Sequence, residues 1–231
     1  MHNVYMGWDS REVEAYNVAR KSILRRASAP VEVMPLRIDR EPVKSLLTRP
    51  IERRDGKMWC PISEAPMATE FAISRFCVPL IQKEGFALFV DCDIVCLADI
   101  TELFALADPQ YAVQVVKREH VPESGTKMDG QVQTVYPRKN WSSVVLWNCS
   151  HAANKRLTKK ELNGWPGRDL HAFKWLRDEE IGSLPLWWNH LVGVDDNALT
   201  AMLLHYTNGG PWIKGWQGGP MDSVWTAERD S

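Results

Sequence analysis

The sequence of 231 residues lacks the features that mark secreted and membrane-spanning proteins. Its first apolar stretch, residues 4–8, is too short for a signal peptide and leads directly into charged residues. No apolar run is long enough to cross a bilayer. We therefore expect a cytoplasmic protein without a transmembrane segment, in contact at most with the inner face of a membrane.

Cysteines are few, and their spacing argues against two common structural roles. They stand at positions 60, 77, 92, 96 and 149. Their odd number and unpaired spacing argue against a disulfide framework. The separation of Cys92 and Cys96 is not that of a zinc knuckle. Reduced thiols of this kind are typical of the cytosol.

The chain also has almost no net charge, since 28 Lys and Arg residues oppose 29 Asp and Glu residues. No overall field therefore attracts nucleic acid, and we expect none as a partner. Hydrophobic residues make up 45% of the chain and charged residues 25%, a balance that supports a sizeable core. The length suits a single domain over residues 1–231.

Strand and helix patterns alternate at the start of the chain. Residues 3–8 predict a buried strand, Asp9-Ser10 a helix cap, and Val31–Leu36 a second strand. This order is typical of a parallel sheet. The predicted class is α/β, a single Rossmann-like domain with a mixed, mostly parallel central sheet flanked by helices.

Later segments continue the alternation. Residues 37–66 are rich in turn residues and predict a binding or lid loop with a small hairpin around Asp55-Gly56. Helical patterns cover residues 68–82, 101–107, 152–161 and 169–177. Further strands are predicted at residues 86–90, 111–116, 144–147, 181–184 and 202–204. The tail, residues 207–231, is rich in Gly and Trp.

An acidic pair follows the most apolar of these strands. Asp91 and Asp93 are two apart, so on a strand they project to the same side. Ligands of open α/β sheets bind at this carboxyl edge. Two adjacent carboxylates repel each other, and a divalent cation between them removes the repulsion. We therefore predict a Mg²⁺ or Mn²⁺ site here, with Arg75 of the preceding helix turned toward it.

Several segments together resemble glycosyltransferase family 8, in order along nearly the whole chain. The segments are residues 4–9, 15–16, 22–24, 74–76, 89–93, 97–104, 144–148 and 205–212. The resemblance implies a GT-A fold and retaining transfer of a sugar from a nucleotide sugar, usually a UDP-sugar. The acceptor would be a glycan or a lipid-linked molecule. Residues 1–100 would bind the nucleotide, and residues 101–231 the donor sugar and the acceptor.

The resemblance also implies roles for individual residues. Asp91, Asp93 and His205 would bind Mn²⁺. Candidate catalytic residues are Asp169 and Asn148. Candidate residues for binding the donor are Met6, Gly7, Asp9, Arg75, Cys92, Gly209, Gly210 and Lys214. Gly209 and Gly210 would offer backbone N–H groups to the phosphates, and Lys214 would replace a Lys that the family motif has at Gly210. Asp169 is equally a candidate helix cap.

The chain departs from the family pattern at three other positions. Leu170 stands where the family has Gln, and Trp141 stands where it has Asn, with Asn140 beside it. Ser143 replaces a Gly. These departures place the chain on a divergent branch and concern the reacting end of the site more than the metal end.

Two other functions are compatible with parts of the sequence. One is a sugar-nucleotide nucleotidyltransferase, although the Gly-rich basic loop that such enzymes carry is missing after the first strand. The other is a non-catalytic carbohydrate-binding protein, since the chain has 11 Trp residues. Most Trp residues fit the core, whereas Trp187, Trp188, Trp212 and Trp216 could frame an acceptor cleft.

Overall fold

The structure, a computed structural model, describes residues 1–118, 138 and 141–231. Its strands are β1 (His2–Gly7), β2 (Val31–Leu36), β3 (Glu52–Arg54), β4 (Lys57–Cys60), β5 (Ala65–Pro66), β6 (Phe86–Val90), β7 (Ile94–Cys96), β8 (Val113–Val115), β9 (Val144–Asn148), β10 (Ile181–Ser183), β11 (His190–Leu191) and β12 (Leu203–His205). Its α-helices are α1 (Val13–Arg26), α2 (Val43–Leu46), α3 (Val78–Ile81), α4 (Ile100–Phe104), α5 (Lys159–Gly164), α6 (Gly167–His171) and α7 (Asp222–Asp230). Short 3₁₀ helices cover Ser74–Cys77, Trp141–Ser143, Ala152–Arg156, Asp178–Glu180, Leu186–Asn189 and Ala198–Thr200.

A six-stranded sheet of order β10-β8-β9-β6-β1-β2 forms the centre of the molecule. Neighbouring strands pair in parallel except that β9 is antiparallel to both β6 and β8. Five of the six strands therefore run in one direction, and the predicted mixed, mostly parallel sheet is confirmed. Residues 87–90 of β6 are buried, as expected for a strand covered on both faces.

A second sheet of order β11-β12-β7 brings the C-terminal part of the chain against β6. β7 follows β6 after only three residues and pairs antiparallel with β12, so that Ile94 lies opposite His205. The sequence patterns did not predict β7 or β11, because strands of two or three residues are too short to show a period. A third sheet, β3-β4-β5, contains the predicted hairpin at Asp55-Gly56.

An aromatic cluster fills the core between β9 and the segments that carry Phe76 and Trp175. Trp147 of β9 stacks on Trp175, with ring centroids 6.2 Å apart and planes 4° apart. Phe76 and Phe173 meet Trp175 at centroid distances of 5.9 and 5.4 Å. All four side chains are buried, so these Trp residues belong to the core, as the sequence indicates for most of them.

The helix predictions need correction at several points: residues 152–161 divide between Ala152–Arg156 and α5, and the helix predicted over residues 169–177 is limited to α6. α1 begins at Val13 with Glu12 as its N-cap, not at Asp9-Ser10, because the carboxylate of Asp9 accepts hydrogen bonds from Arg11 and Glu70 instead. The helix predicted over residues 68–82 is restricted to Ser74–Cys77 and α3. In the tail, α7 was not predicted; it contacts α1, where Arg25 and Arg26 both bind Glu228.

The five cysteines are free, in agreement with their spacing, and all five are buried. Burial raises the pKa of Cys77 to about 12, so this thiol stays protonated at neutral pH. Among the described residues, no helix is long and apolar enough to cross a membrane.

Candidate metal centre

The acidic pair lies where β6 ends and the chain turns into β7. The N–H of Asp91 donates to the carbonyl of Ser143 at 3.0 Å, which extends the pairing of β6 with the segment before β9. Asp93 follows in a bend, and its carbonyl accepts the N–H of Tyr206 at 2.9 Å. Both acids therefore stand at the carboxyl edge of the central sheet, as predicted.

β12 brings His205 to this pair. Its Nε2 lies 3.4 Å from Oδ1 of Asp93 and 3.9 Å from Oδ2 of Asp91. One ligand atom from each of the three residues lies within 4.8 Å of the other two. Within the described part of the chain, this is the one group of three or more His, Cys, Asp or Glu residues that could hold a metal ion. The structure thus brings together the three residues that the sequence selected.

Asn189 orients the imidazole. Its side-chain oxygen lies 2.9 Å from Nδ1 of His205, and its amide group donates to Oγ of Ser143 at 3.0 Å. When Nδ1 carries the proton, it donates to this oxygen, and Nε2 presents a lone pair toward the two acids. Such support of a ligating His by a second residue is usual in metal sites.

Arg75 lies beside Asp91, as predicted for a cation near the acidic pair. Its guanidinium is 2.9 Å from Oδ1 of Asp91 and also donates to the carbonyl of Ser142 at 2.8 Å. The rings of Phe71 and Phe89 lie 5.3 and 5.1 Å from the guanidinium carbon. Arg75 is therefore buried and held in place, and it compensates part of the negative charge of the pair.

The charges of the centre depend on one another. Burial disfavours the ionised form of Asp93, yet His205 outweighs that effect and keeps the pKa of Asp93 below its ordinary value. Burial likewise disfavours imidazolium, but Asp93 and Asp91 together raise the pKa of His205. Oδ1 of Asp93 is buried and accepts no hydrogen bond from the described residues. An oxygen of this kind, beside a second carboxylate and an oriented imidazole, fits a divalent cation.

Cys92 does not share the direction of its two neighbours. Its side chain is fully buried, and the thiol donates to Oε2 of Glu12 at 3.3 Å, under the start of α1. The prediction that Cys92 binds the donor is therefore wrong for its side chain. Burial and the charge of Asp93 raise the pKa of Glu12 to about 7, so this carboxyl group is only partly ionised at neutral pH.

The other residues predicted at the first strand are buried or already bonded. Met6 is fully buried within the sheet. Gly7 packs against Phe71, whose ring atoms lie 2.6 Å from the position that a Cβ would take, so no larger residue fits there. Asp9 is fully buried, and its two oxygens bind the guanidinium of Arg11. Their contact with a nucleotide stays a prediction.

A cavity of about 380 Å³ lies next to these residues, at the carboxyl ends of β1 and β2. Trp8 and Arg37 line one side, with the guanidinium carbon 4.8 Å from the ring centroid. Ile51 and Met58, beside and within the β3–β4 hairpin, line the cavity too. The long loop for which the sequence predicted a binding or lid role thus contributes walls to this cavity.

The glycines of the tail have local structural roles. Gly209 has a φ of 106° and donates its N–H to the carbonyl of Tyr206 at 2.7 Å, so in this conformation that N–H does not reach a phosphate. A Cβ on Gly210 would stand 2.1 Å from the ring of Trp212. Lys214 is exposed in the turn that follows. A phosphate contact from Gly210 or Lys214 stays a prediction.

The two candidate catalytic residues have different positions. Asn148 ends β9 and pairs with Phe86 at the start of β6, whereas Val144 pairs with Val90 beside the acidic pair. Four residues of strand, about 13 Å, therefore separate Asn148 from the metal centre. Its amide donates to the carbonyl of Pro109. Asn148 does not join the centre, because β9 runs antiparallel to β6.

Asp169 lies inside α6 and is not its cap, since the N-cap is Pro166. Its carboxylate is 2.7 Å from Nζ of Lys174. A contact between Asp169 and the donor stays a prediction. Leu170, at the position where the resembling family has Gln, is fully buried. Asn140 lies outside the described residues.

Sequence reasoning missed the polar residues that support the centre. These are Glu12, Ser142, Ser143, His171 and Asn189. The one available signal was the segment directly before β9: because β9 is antiparallel to β6, its start lies beside the end of β6. Nothing in the sequence near Asn189 indicated its contact with His205, since that contact depends on the pairing of β11 with β12.

Several solved glycosyltransferases have an architecture similar to that of this chain. Superposition with the glycosyltransferase GlyE of Streptococcus pneumoniae gives a TM-score of 0.61 at 16% identity, over 99% of this chain and 60% of that one. The galactosyltransferase LgtC, solved with donor and acceptor sugar analogues, gives 0.60 at 14% identity, over 99% and 95% of the two chains. The bifunctional glycosyltransferase WbbM gives 0.58 at 14% identity, and this chain spans 52% of its length. The protein thus has the GT-A fold.

No model of a known protein family matches the sequence. A curated relative does match: Protein CDI of Arabidopsis thaliana is 43% identical over an alignment that covers 98% of this chain and 85% of the relative. The chain belongs to the family of Protein CDI.

Proposed function

We propose that the protein is a metal-dependent glycosyltransferase, related to glycosyltransferase family 8, that transfers a sugar from a UDP-sugar to a glycan or lipid-linked acceptor. The observation that carries the proposal is the convergence of Asp91, Asp93 and His205 at the carboxyl edge of the sheet. The sugar keeps its anomeric configuration. The solved neighbours are named as glycosyltransferases, which supports transfer of a sugar as the reaction.

The three residues favour Mn²⁺, with Mg²⁺ as the second choice. Carboxylates suit both ions, whereas an imidazole suits the softer transition metal better. A bound ion would stabilise the negative charge that develops on the departing nucleoside diphosphate. The chain supplies the rest of the arrangement: Asn189 holds the imidazole of His205, and Arg75 holds the carboxylate of Asp91.

The cavity beside β1 and β2 supports a place for the nucleoside. The indole of Trp8 offers a flat surface on which a base can stack, and the guanidinium of Arg37 offers hydrogen-bond donors. Residues 1–100 then bind the nucleotide, and residues 101–231 bind the donor sugar and the acceptor. In the second half, Trp187 and Trp216 are exposed and can contact an acceptor sugar, whereas Trp188 is buried in the core.

A binding screen followed by an activity assay tests the proposal. Melting temperatures are measured with UDP, UDP-glucose, UDP-galactose and UDP-N-acetylglucosamine, each with and without Mn²⁺. We expect a nucleotide to raise the melting temperature only when Mn²⁺ is present. UDP release is then measured with the UDP-sugar that gives the largest shift.

Asp93→Asn is the matched variant, because it keeps the size of the side chain and removes the charge. It should abolish the Mn²⁺-dependent shift, and a single cooperative melting transition without ligand should show that the variant is folded. Exchange of pyrophosphate into the nucleotide sugar would identify a nucleotidyltransferase instead. Binding of glycans without any nucleotide response would identify a carbohydrate-binding protein.

A further inference from the structure

One polar side chain of α6 reaches the edge of the metal centre. His171 is the last residue of α6, and its Nδ1 lies 2.7 Å from Oγ of Ser142. The carbonyl of Ser142 accepts the guanidinium of Arg75, which binds Asp91. The neighbouring carbonyl, that of Ser143, accepts the N–H of Asp91. His171 is therefore joined to a metal-binding carboxylate through two residues.

Other side chains of α6 are turned away or neutralised. Leu170 is fully buried, so it offers a ligand neither surface nor a polar group. Asp169 forms an ion pair with Lys174 and lies 3.7 Å from Nε of Arg168. In the described structure, His171 is thus the polar side chain of α6 that contacts the residues around Asp91.

The imidazole is held on two sides and remains partly exposed. Phe76 meets it edge to face, with centroids 5.2 Å apart and planes 83° apart. Ser142 fixes the ring through Nδ1. The ring is half-buried. With Nδ1 bonded to Ser142, the other ring nitrogen, Nε2, either donates to a sugar hydroxyl or accepts from one, depending on the tautomer.

The order of the strands along the sheet indicates where each part of a nucleotide-sugar donor would lie. From one edge of the sheet inward, the cavity lies at β2 and β1, the acidic pair at β6, and Ser142 just before β9. A nucleotide sugar has the same linear order of nucleoside, diphosphate and sugar. With the nucleoside in the cavity and the diphosphate at the ion, the sugar extends toward Ser142 and His171.

We propose that His171 hydrogen-bonds a hydroxyl group of the donor sugar and thereby helps to select that sugar. The inference rests on the proposed function, since it assumes a nucleotide-sugar donor. His171 would thus provide a polar contact from α6, whereas Leu170, at the position where the resembling family has Gln, is buried. Ser142 is the positioning residue that holds the ring.

Isothermal titration at saturating Mn²⁺ tests the inference with UDP and with the UDP-sugar selected in the melting screen. The measured quantity is the ratio of the dissociation constant for the UDP-sugar to that for UDP. His171→Ala should raise this ratio about threefold to tenfold, the effect of losing one hydrogen bond, and should leave the affinity for UDP unchanged.

Two further variants separate recognition from a merely structural role. His171→Asn keeps a short polar group for Ser142 but loses the far nitrogen of the ring, so it should behave like His171→Ala. His171→Gln reaches farther and should recover part of the preference. His151→Ala, at the cap of Ala152–Arg156 beyond the opposite end of β9, is the control and should leave the ratio unchanged.

The outcomes distinguish this inference from the proposed function. If wild-type protein binds UDP and UDP-sugar with Mn²⁺ but the ratio is the same in all variants, His171 does not contact the sugar. An equal loss of affinity for both ligands, or wild-type behaviour of His171→Asn, would identify a structural role only. If the wild type binds no nucleotide, the proposed function itself fails and the inference falls with it.

Discussion

Two buried parts of the molecule differ in chemistry: the metal centre consists of charged and polar groups, and the aromatic cluster consists of apolar rings. The cluster consists of Phe76, Trp147, Phe173 and Trp175, and each ring centroid lies within 6.3 Å of at least two others. The centre brings two carboxylates, a guanidinium and an imidazole together at an edge of the sheet. Burial of apolar rings stabilises the fold, whereas burial of like charges opposes it.

Because of this difference, we expect the two regions to determine different properties of the protein. Stability of the fold should depend on the cluster, and binding of a cation should depend on the centre. Residues at functional sites often reduce the stability of the folded state, because they are arranged for a ligand and not for one another. Variants in the two regions should therefore change different measured quantities.

The largest expected effect is on turnover, in the centre. His205→Ala and Asp93→Ala each remove a ligand of the proposed ion and should lower metal-dependent release of UDP by about a thousandfold or more, since a Lewis acid supplies several kcal/mol to such a reaction. Circular dichroism should show a folded protein in both cases. Full activity in either variant would contradict the metal assignment.

Truncation in the cluster should have its largest effect on stability. Trp147→Ala leaves a large void beside Trp175 and should lower the free energy of unfolding by about 3–5 kcal/mol. Chemical denaturation measures this change. Trp187→Ala is the matched control, because Trp187 is 44% exposed, and it should change the free energy of unfolding by less than about 1 kcal/mol. Equal effects of the two variants would contradict the comparison.

A moderate effect on metal binding is expected at Asn189. Asn189→Leu keeps a side chain of similar size but removes the hydrogen bonds to His205 and Ser143. Loss of such a supporting residue typically weakens metal affinity about tenfold to a hundredfold. Titration with Mn²⁺ measures the dissociation constant. An unchanged constant would mean that His205 keeps its orientation without this support.

Acid should weaken metal binding through His205. Asp93 and Asp91 raise the pKa of this imidazole in the metal-free protein, so below that raised pKa the ion must displace a proton. The affinity for Mn²⁺ should then fall up to about tenfold per pH unit as the pH decreases, and binding should release a proton. Calorimetry in buffers of different ionisation enthalpy measures the release. Binding of Mn²⁺ without proton release at acidic pH would exclude His205 as a ligand.

Protonation of His205 has the opposite effect on the stability of the metal-free protein: it weakens metal binding but stabilises the folded state. Protonated His205 stabilises the folded state fully below its pKa in the unfolded chain, and this contribution is lost as the pH rises through the folded-state pKa. Asp93, whose pKa is lowered, contributes above its unfolded-state pKa and loses that contribution as the pH falls. Without metal, the ion pair therefore stabilises the fold between these limits.

The smallest expected effect lies on the surface. Arg54 and Glu52 form an ion pair on the β3–β4 hairpin in which both side chains are about half-exposed. Glu52→Gln should change the free energy of unfolding by less than about 1 kcal/mol, since solvent screens such pairs. The melting temperature checks this. A large decrease would mean that the hairpin is coupled to the core more tightly than its exposure indicates.

Much of the central sheet could be predicted from local patterns. Val31–Leu36 and Phe86–Val90 form strands with the predicted bounds, because a mainly apolar run flanked by turn residues is a strong strand signal. The patterns could not give the direction of β9. That direction places Ser142 beside Asp91 and carries Asn148 to the far end of the sheet.

The acidic pair was identifiable from the sequence because it directly follows an apolar strand, and Arg75 because the preceding helix carries it, whereas His205 was selected through the resemblance to glycosyltransferase family 8. Only the tertiary structure decided which other groups surround them: Asn189 through the pairing of β11 with β12, His171 through the position of α6, and Glu12 through its contact with Cys92. The physical reason is that spacing along the chain fixes which residues share a strand or a helix face. Contacts between distant segments depend instead on how separate elements pack against one another.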